Sequence, residues 1–332
     1  MRKRYIFILL SLAVFLSGCG SYEEKNDEIR IAYFPNFTHI TTIVALEKGY
    51  FEEEFGHSVN IETMTFPNGS SFMEAMSTNE FDIGTVGPTP ATTTYTRYPE
   101  HEIILGAANG GAVLVSGENS GIESVEDLDG KRVAVPTIGS TQDIQLRYEL
   151  AEVGLQLEDA GGTVKLVPQA PADTSSLLIQ ENVDAAATQE PWGVYMEHQA
   201  NADIIQDETE FGWGTESTTT VVAARKSFTE ANPGLTEDYT RAHIKAVEFI
   251  EENEEEAVQI FISHMHELTG EELDFDETLK ASRRLSPSYD INEEVMQDMA
   301  DISYEAHYIP TNDINGLVNL EFLERVLKEN EE

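Results

Sequence analysis

The sequence predicts an α/β fold built as two lobes that face each other across a cleft. Short apolar runs of strand length alternate with stretches of helical periodicity, and the alternation is laid out twice along the chain. Each repeat puts Gly, Pro, Ser or Thr where a strand gives way to a helix. Beyond an N-terminal leader, roughly 300 residues remain, enough for two compact units or one discontinuous pair.

The first strand is Ile29-Arg30-Ile31-Ala32-Tyr33. Thr38 to Lys48 follows with Ile40, Ile43 and Val44 at helical spacing, and Gly49 stands where a helix-ending glycine belongs. Val59 to Met64 predicts a second strand and Ser70 to Ser77 a short helix. Phe81 to Val86 predicts a third strand, after which Gly87-Pro88-Thr89 opens a helix with proline near its first turn. Ile103 to Ala108 and Ala112 to Val115 are strands on either side of Gly110-Gly111.

The plan then recurs. Glu123 to Leu128 predicts a short helix, Lys131 to Val135 a strand, and Gly139-Ser140-Thr141 precedes a helix from Gln142 to Val153. Val164 to Val167 and Asp184 to Ala187 are further strands, and Thr218 to Ala224 is a β-rich return. From Leu235 onward the pattern is mostly helical and acidic, with Glu251 to Glu256 a solvated charged block. Crossings near Gly110 and Thr218 divide the chain into a first lobe, 29–112 plus 218–332, and a second, 113–217.

The leader has its own signature. Arg2, Lys3 and Arg4 precede the apolar run Tyr5 to Leu16, which is shorter than the ~20 residues of a transmembrane helix. Leu16-Ser17-Gly18-Cys19 matches the bacterial lipobox, so residues 1–18 are expected to be a signal peptide and Cys19 the lipidated residue. Residues 19–28 would then be a polar leash. Cys19 is the only cysteine, which excludes an intramolecular disulfide. The expected location is the outer face of the cytoplasmic membrane of a single-membrane bacterium.

Sixty-one acidic residues face 20 basic ones, a net charge of −41. Nucleic acid is excluded as a partner, because no basic patch exists to neutralise phosphates. A hydrophobic content of 40% with regular periodicity argues for a folded chain despite the charge, which suits solubility in a salty medium.

Four stretches place polar groups at helix starts: Asn36 to His39, Gly87 to Thr89, Gly139 to Gln142, and Gln189 to Trp192. Unpaired N–H groups and the positive end of the macrodipole let such starts hold an anion without a formal positive charge. Gly139, Ser140, Thr141 and Gln142 offer close backbone approach and hydroxyl donors, although plain N-capping accounts for the same residues. Thr89 has a similar dual reading. Trp192 could cover the apolar part of a small organic ligand and Glu190 accept a bond from it, or Trp192 could be core. His39 could donate to an anion or simply pack, and Gly110 and Gly111 suit a hinge.

Catalytic motifs are missing. There is no G-x-S-x-G, no H-E-x-x-H and no cysteine for nucleophilic or zinc chemistry, so neither enzymatic activity, a cofactor nor a metal is expected. His264 and His266 are two apart on a helical stretch and do not share a face.

The chain resembles the nitrate, sulfonate and taurine class of ABC-transporter binding proteins, most closely its aliphatic-sulfonate-binding lipoproteins. The resemblance rests on Ile31 to Pro35 through His39, Ala45 to Phe51, and Phe81-Asp82-Ile83-Gly84 leading to Gly87-Pro88-Thr89-Pro90. Glu126 to Pro136 and Gln189-Glu190-Pro191-Trp192 complete it. It implies a two-lobed type II periplasmic-binding-protein fold that closes on a small anionic solute and is recognised by a membrane permease, as a monomer. His39, Thr89, Ser140, Thr141 and Trp192 would be the contacts. The solute implied is an alkanesulfonate or taurine; nitrate, bicarbonate and thiamine-pyrimidine precursors are the alternatives. A eukaryotic branch of the same class makes the thiamine pyrimidine at an iron-dependent site rich in cysteine and histidine. The lack of any cysteine besides Cys19 argues against that chemistry.

Overall fold

A computed structural model describes residues 28–270 and 272–331; the expected signal peptide, Cys19 and nearly all of the leash lie outside the described residues. The chain begins with β1 (Glu28–Tyr33), α1 (Ile40–Glu47), α2 (Tyr50–Phe55), β2 (Asn60–Thr65), α3 (Gly69–Ser77), β3 (Ile83–Val86), α4 (Pro88–Tyr95) and β4 (His101–Gly110). It continues through β5 (Ala112–Ser116), β6 (Arg132–Val135), α5 (Thr141–Glu152), β7 (Lys165–Pro168), α6 (Pro171–Ile179), β8 (Ala185–Gln189), α7 (Trp192–Ala200) and β9 (Asp203–Gln206). It returns by β10 (Thr218–Arg225), α8 (Lys226–Ala231), α9 (Pro233–Glu252), α10 (Glu254–Thr269), α11 (Phe275–Ser282), β11 (Leu285–Pro287), α12 (Glu293–Glu305) and α13 (Glu321–Glu331).

The strands form two sheets, ordered β11-β4-β10-β3-β1-β2 and β7-β6-β8-β5-β9. In the first, β1 runs parallel to β2 and β3, while β10 returns antiparallel between β3 and β4. In the second, β6 runs parallel to β7 and β8, and β5 is antiparallel to β8 and β9. This is the expected α/β architecture. Both sheets are buried on both faces, as parallel strands flanked by crossover helices must be. On β1, Ile29, Ile31 and Tyr33 enter one core cluster and Ala32 the opposite one. On β8, Ala185 and Ala187 enter one cluster and Ala186 the other.

Local rules account for the element ends. Gly49 takes φ +72° just past α1, as expected of a C-terminal glycine. Gly84 has no room for a side chain, since a Cβ there would sit 2.1 Å from the Ala32 carbonyl oxygen across the β1–β3 pair. Two strands escaped the sequence reading. β9 is four residues long at a sheet edge, and β11 lies at the other sheet's edge and ends in Pro287, which cannot donate to a ladder. The helix expected over Glu123 to Leu128 is only a 3₁₀ turn, Val125–Leu128, capped by Ser124 and Asp127.

The two sheets share one polar device. Asp82 accepts from Arg30 through its backbone N–H at 2.9 Å and its guanidinium at 2.8 and 3.1 Å, tying β1 to the start of β3. Asp184 accepts from Arg132 in the same way at 2.8, 3.0 and 2.8 Å, tying β6 to β8, and each pair is 52 residues apart. Arg225 adds a third clamp on Asp82.

Burial on its own would raise the Asp82 pKa, but the bonds from Arg30 and Arg225 hold it below the ordinary carboxylate range. A depressed native pKa contributes stability above the unfolded value, near 3.9, which is lost as pH falls through the native one. Asp82→Asn is expected to lower stability by about 2 kcal/mol at pH 7, read from the urea midpoint. The gap to the unaltered protein should narrow below about pH 4; an equal gap at pH 7 and pH 3 would refute the assignment.

Candidate functional site

A parallel strand must send its chain back over the outside of the sheet, so strand C-terminal ends and helix N-termini collect on one edge. Here both sheets turn that edge toward each other. A cavity of about 70 Å³ lies between them, and every loop of this kind reaches it. From the first sheet come Phe34, Asn36, Thr38 and His39 after β1, Pro67, Asn68 and Gly69 after β2, and Gly87 and Pro90 after β3. From the second come Pro136, Thr137, Ser140, Thr141 and Gln142 after β6, Pro171 after β7, and Gln189 after β8. Thr219 and Thr220 of β10 complete the wall.

Two helices of eight or more residues begin at this cavity with a side-chain cap, and α4 begins there without one. Ser140 accepts from the Asp143 N–H at 3.2 Å at the start of α5, and Asn68 accepts from the Ser71 N–H at 3.0 Å at the start of α3. Gly87 precedes Pro88 at the start of α4. The first-turn N–H groups have no partner inside their helices and carry the positive macrodipole end, although in α4 Pro88 and Pro90 have no N–H to offer. The Thr141 hydroxyl is buried at the cavity without a hydrogen-bond partner. No lysine or arginine lines the cavity among the described residues.

His39 is buried and its Nδ1 lies 2.7 Å from the Thr85 hydroxyl, while its ring packs on Phe34 at 4.5 Å between centroids. Burial lowers its pKa to about 3, so the ring is neutral at ordinary pH. Its role at the cavity is therefore that of a neutral hydrogen-bonding group, with Nε2 as the nitrogen not engaged by Thr85.

Of the residues singled out from sequence, His39, Ser140, Thr141 and Gln142 meet at the cavity. The structure places the others elsewhere. Thr89 is fully buried and its hydroxyl lies 4.0 Å from the Met299 sulfur, facing α12. Gly139 gives its N–H to Asp143 Oδ2 at 2.8 Å and lines an outer groove instead. Glu190 is fully buried, accepting from Arg284 at 2.7 Å and from the Val194 N–H at 3.1 Å; burial pushes its pKa up against the pull of that guanidinium. Trp192 packs in the core of the second sheet with Val113 and Met196, edge-on to Tyr195. Gly110 and Gly111, at φ +67° and +73°, form the first link between the sheets.

Sequence reasoning missed Asn68 with Gly69, Thr137 and the Thr219-Thr220 pair. Asn68 carried a signal, since Pro67-Asn68-Gly69 before an amphipathic run is a helix-start pattern. Thr219 and Thr220 carried none, because their exposure to the cavity depends on how β10 crosses into the first sheet. His264, flagged only as half of a pair, bridges Tyr33 and Glu47 at 2.8 and 2.7 Å.

Two outcomes follow from this geometry. His39, His101 and His243 are all buried and held neutral, with burial lowering their pKa values to about 3, 4 and 4. The unfolded chain protonates them near pH 6.5, so stability rises with pH across the window from about 4 to 6.5. Urea midpoints should fall steadily from pH 7 to pH 5; a flat profile would contradict the burial of these rings. Separately, a Cβ on Gly87 would meet the Thr141 hydroxyl at 2.7 Å, across the cleft. At φ −63° the backbone tolerates alanine, so Gly87→Ala should keep the fold while forcing the Thr141 hydroxyl or its loop to shift, read as a loss of about 1–3 kcal/mol from the urea midpoint; an unchanged midpoint would refute the close contact.

The architecture has close counterparts. The alkanesulfonate-binding protein SsuA of Xanthomonas axonopodis pv. citri, bound to MOPS, superposes with a TM-score of 0.74 over 88% of this chain and 98% of its own, at 19% identity. The periplasmic nitrate-binding protein NrtA of Synechocystis gives 0.75 over 92% and 90%, at 14% identity. Both are two-lobed periplasmic binding proteins in fold, which is the fold of this chain. Among sequences, a Brucella abortus protein provisionally named a binding protein is 29% identical over 218 residues, 62% of this chain and 64% of that protein. A Bacillus subtilis protein provisionally named as aliphatic sulfonates-binding is 25% identical over 340 residues, 98% of each chain. The profile of the NMT1-like family matches residues 22–263, and the chain belongs to that family.

Proposed function

We propose that this protein is the extracytoplasmic solute-capture component of an ABC importer, binding a small organosulfonate such as taurine or an alkanesulfonate, and not an enzyme. The observation that carries this reading is the small cavity between two sheets, walled by converging helix N-termini and neutral donors. A sulfonate head has three acceptor oxygens and one diffuse charge, which oriented N–H groups and the hydroxyls of Ser140 and Thr141 can hold without a cation. The apolar remainder of the ligand would lie against Phe34 and the four prolines at the cavity, in place of Trp192. The sulfonate-binding names of relatives support the choice of head group.

The capture motion follows from the connections. Residues 29–112 plus 218–332 would move as one lobe and 113–217 as the other, pivoting at Gly110 and Gly111, with the ligand selecting the closed state that a permease recognises. Cys19 would carry a lipid that tethers a monomer to the outer face of the cytoplasmic membrane. Among the described residues no helix is long and apolar enough to cross a membrane.

A second reading is favoured by the size of the cavity. About 70 Å³ suits nitrate or bicarbonate as well as the smallest sulfonates. Thermal unfolding in high salt against taurine, methanesulfonate, ethanesulfonate, nitrate, bicarbonate, sulfate and a thiamine pyrimidine separates them. A ligand at 100 times its Kd adds about 2.7 kcal/mol. A shift with sulfonates alone supports the proposal, and a shift with nitrate or bicarbonate alone replaces its substrate. Turnover of any of them would overturn the capture role.

A further inference from the structure

We propose that Tyr308 is a cross-cleft latch that positions the α5 ligand loop, so that the lifetime of the bound solute is set from outside the cavity. This rests on the capture reading above and adds to it a residue that touches no ligand. Tyr308 belongs to the first sheet's half: it follows α12, its N–H donates to the Ser303 carbonyl at 2.9 Å, and its carbonyl accepts from Arg97 at 2.6 Å. Its side chain reaches the other half. The hydroxyl donates to Asp143 Oδ2 at 2.9 Å and accepts from Arg147 at 2.5 Å, and the Arg147 guanidinium lies 4.8 Å from the ring centroid.

Asp143 is the relay. It is fully buried, and the same Oδ2 that accepts from Tyr308 also accepts the Gly139 N–H at 2.8 Å, while its backbone N–H is capped by Ser140. Its other oxygen accepts from Arg147 at 3.0 Å. The carboxylate thus fastens both sides of the turn that carries Ser140, Thr141 and Gln142 to the cavity. In a buried network each bond polarises the next, so removal of one donor loosens the rest. Ile144 of α5 packs on Val295 and Met299 of α12 beside it, so the two halves also meet through an apolar contact next to the latch.

Tyr308→Phe removes the hydroxyl and keeps the ring, and Tyr304→Phe, on the exposed side of α12, serves as control. Hydrogen exchange on the full chain without ligand should show amides of residues 139–143 exchanging about tenfold faster in Tyr308→Phe, with the rest of α5 and α12 unchanged. With methanesulfonate as probe, stopped-flow dissociation should quicken about tenfold while association stays within about twofold. Unchanged exchange at 139–143, or equal acceleration throughout α5 and α12, overturns the latch. If methanesulfonate does not bind even the unaltered chain, the sulfonate reading falls and the exchange result alone decides the latch.

Discussion

The constraint on which the rest depends is the parallel pairing of β1 with β2 and β3, and of β6 with β7 and β8. Parallel neighbours cannot be joined by a tight turn, so each connection crosses over through a helix, and helix starts gather where the strands end. One such edge makes a polar rim. Two of them facing each other make a cleft whose walls are almost all backbone-rich loops. The Arg30–Asp82 and Arg132–Asp184 clamps sit at the opposite, N-terminal ends of these strands and hold the register that brings the loops together. The ion-pair clamps and the cavity are thereby kept at opposite ends of the same strands.

The charge of the molecule makes the neutral site intelligible. A chain with a net charge of −41 repels anions at long range, yet the repulsion is screened within about 10 Å at 0.1 M salt. Inside the cavity only local dipoles count. Most arginines are already engaged with carboxylates: Arg30, Arg132, Arg147, Arg225, Arg241 and Arg284 each make short ion pairs. A guanidinium moved into the cavity would leave one of these carboxylates, several of them buried, without its partner. Helix starts supply the positive potential without taking a cation from the structure.

The α/β alternation was legible because strand and helix periods differ and because glycine and proline punctuate them. Ile29, Ile31 and Tyr33 against Ala32 show the period-two rule directly. Four of the six loops that form the cavity were legible for the same reason, as helix starts, and those after β2 and β7 were not. What could not be read was the direction of each side chain within those loops. Ser140 and Thr141 face the cavity while Gly139, their neighbour, faces an outer groove. Thr89 lies two residues from Gly87 yet turns to the far side of α4, because a helix rotates about 100° per residue.

Gln189-Glu190-Pro191-Trp192 shows most clearly how a motif can divide its labour. Four adjacent residues at one helix start looked like a single ligand-facing unit. Only Gln189 reaches the cavity. Glu190 turns back to Arg284, the residue just before β11, and so bonds the end of a second-sheet strand to the edge of the first sheet. Trp192 anchors α7 in its own core. Such a motif holds the two halves in register around the site as much as it contacts what the site contains. The same division applies to α5, where Thr141 meets the cavity and Asp143, two residues on, meets Tyr308 across the cleft. Cavity contact and cross-cleft contact alternate along the same first turn, so neither can change without the other.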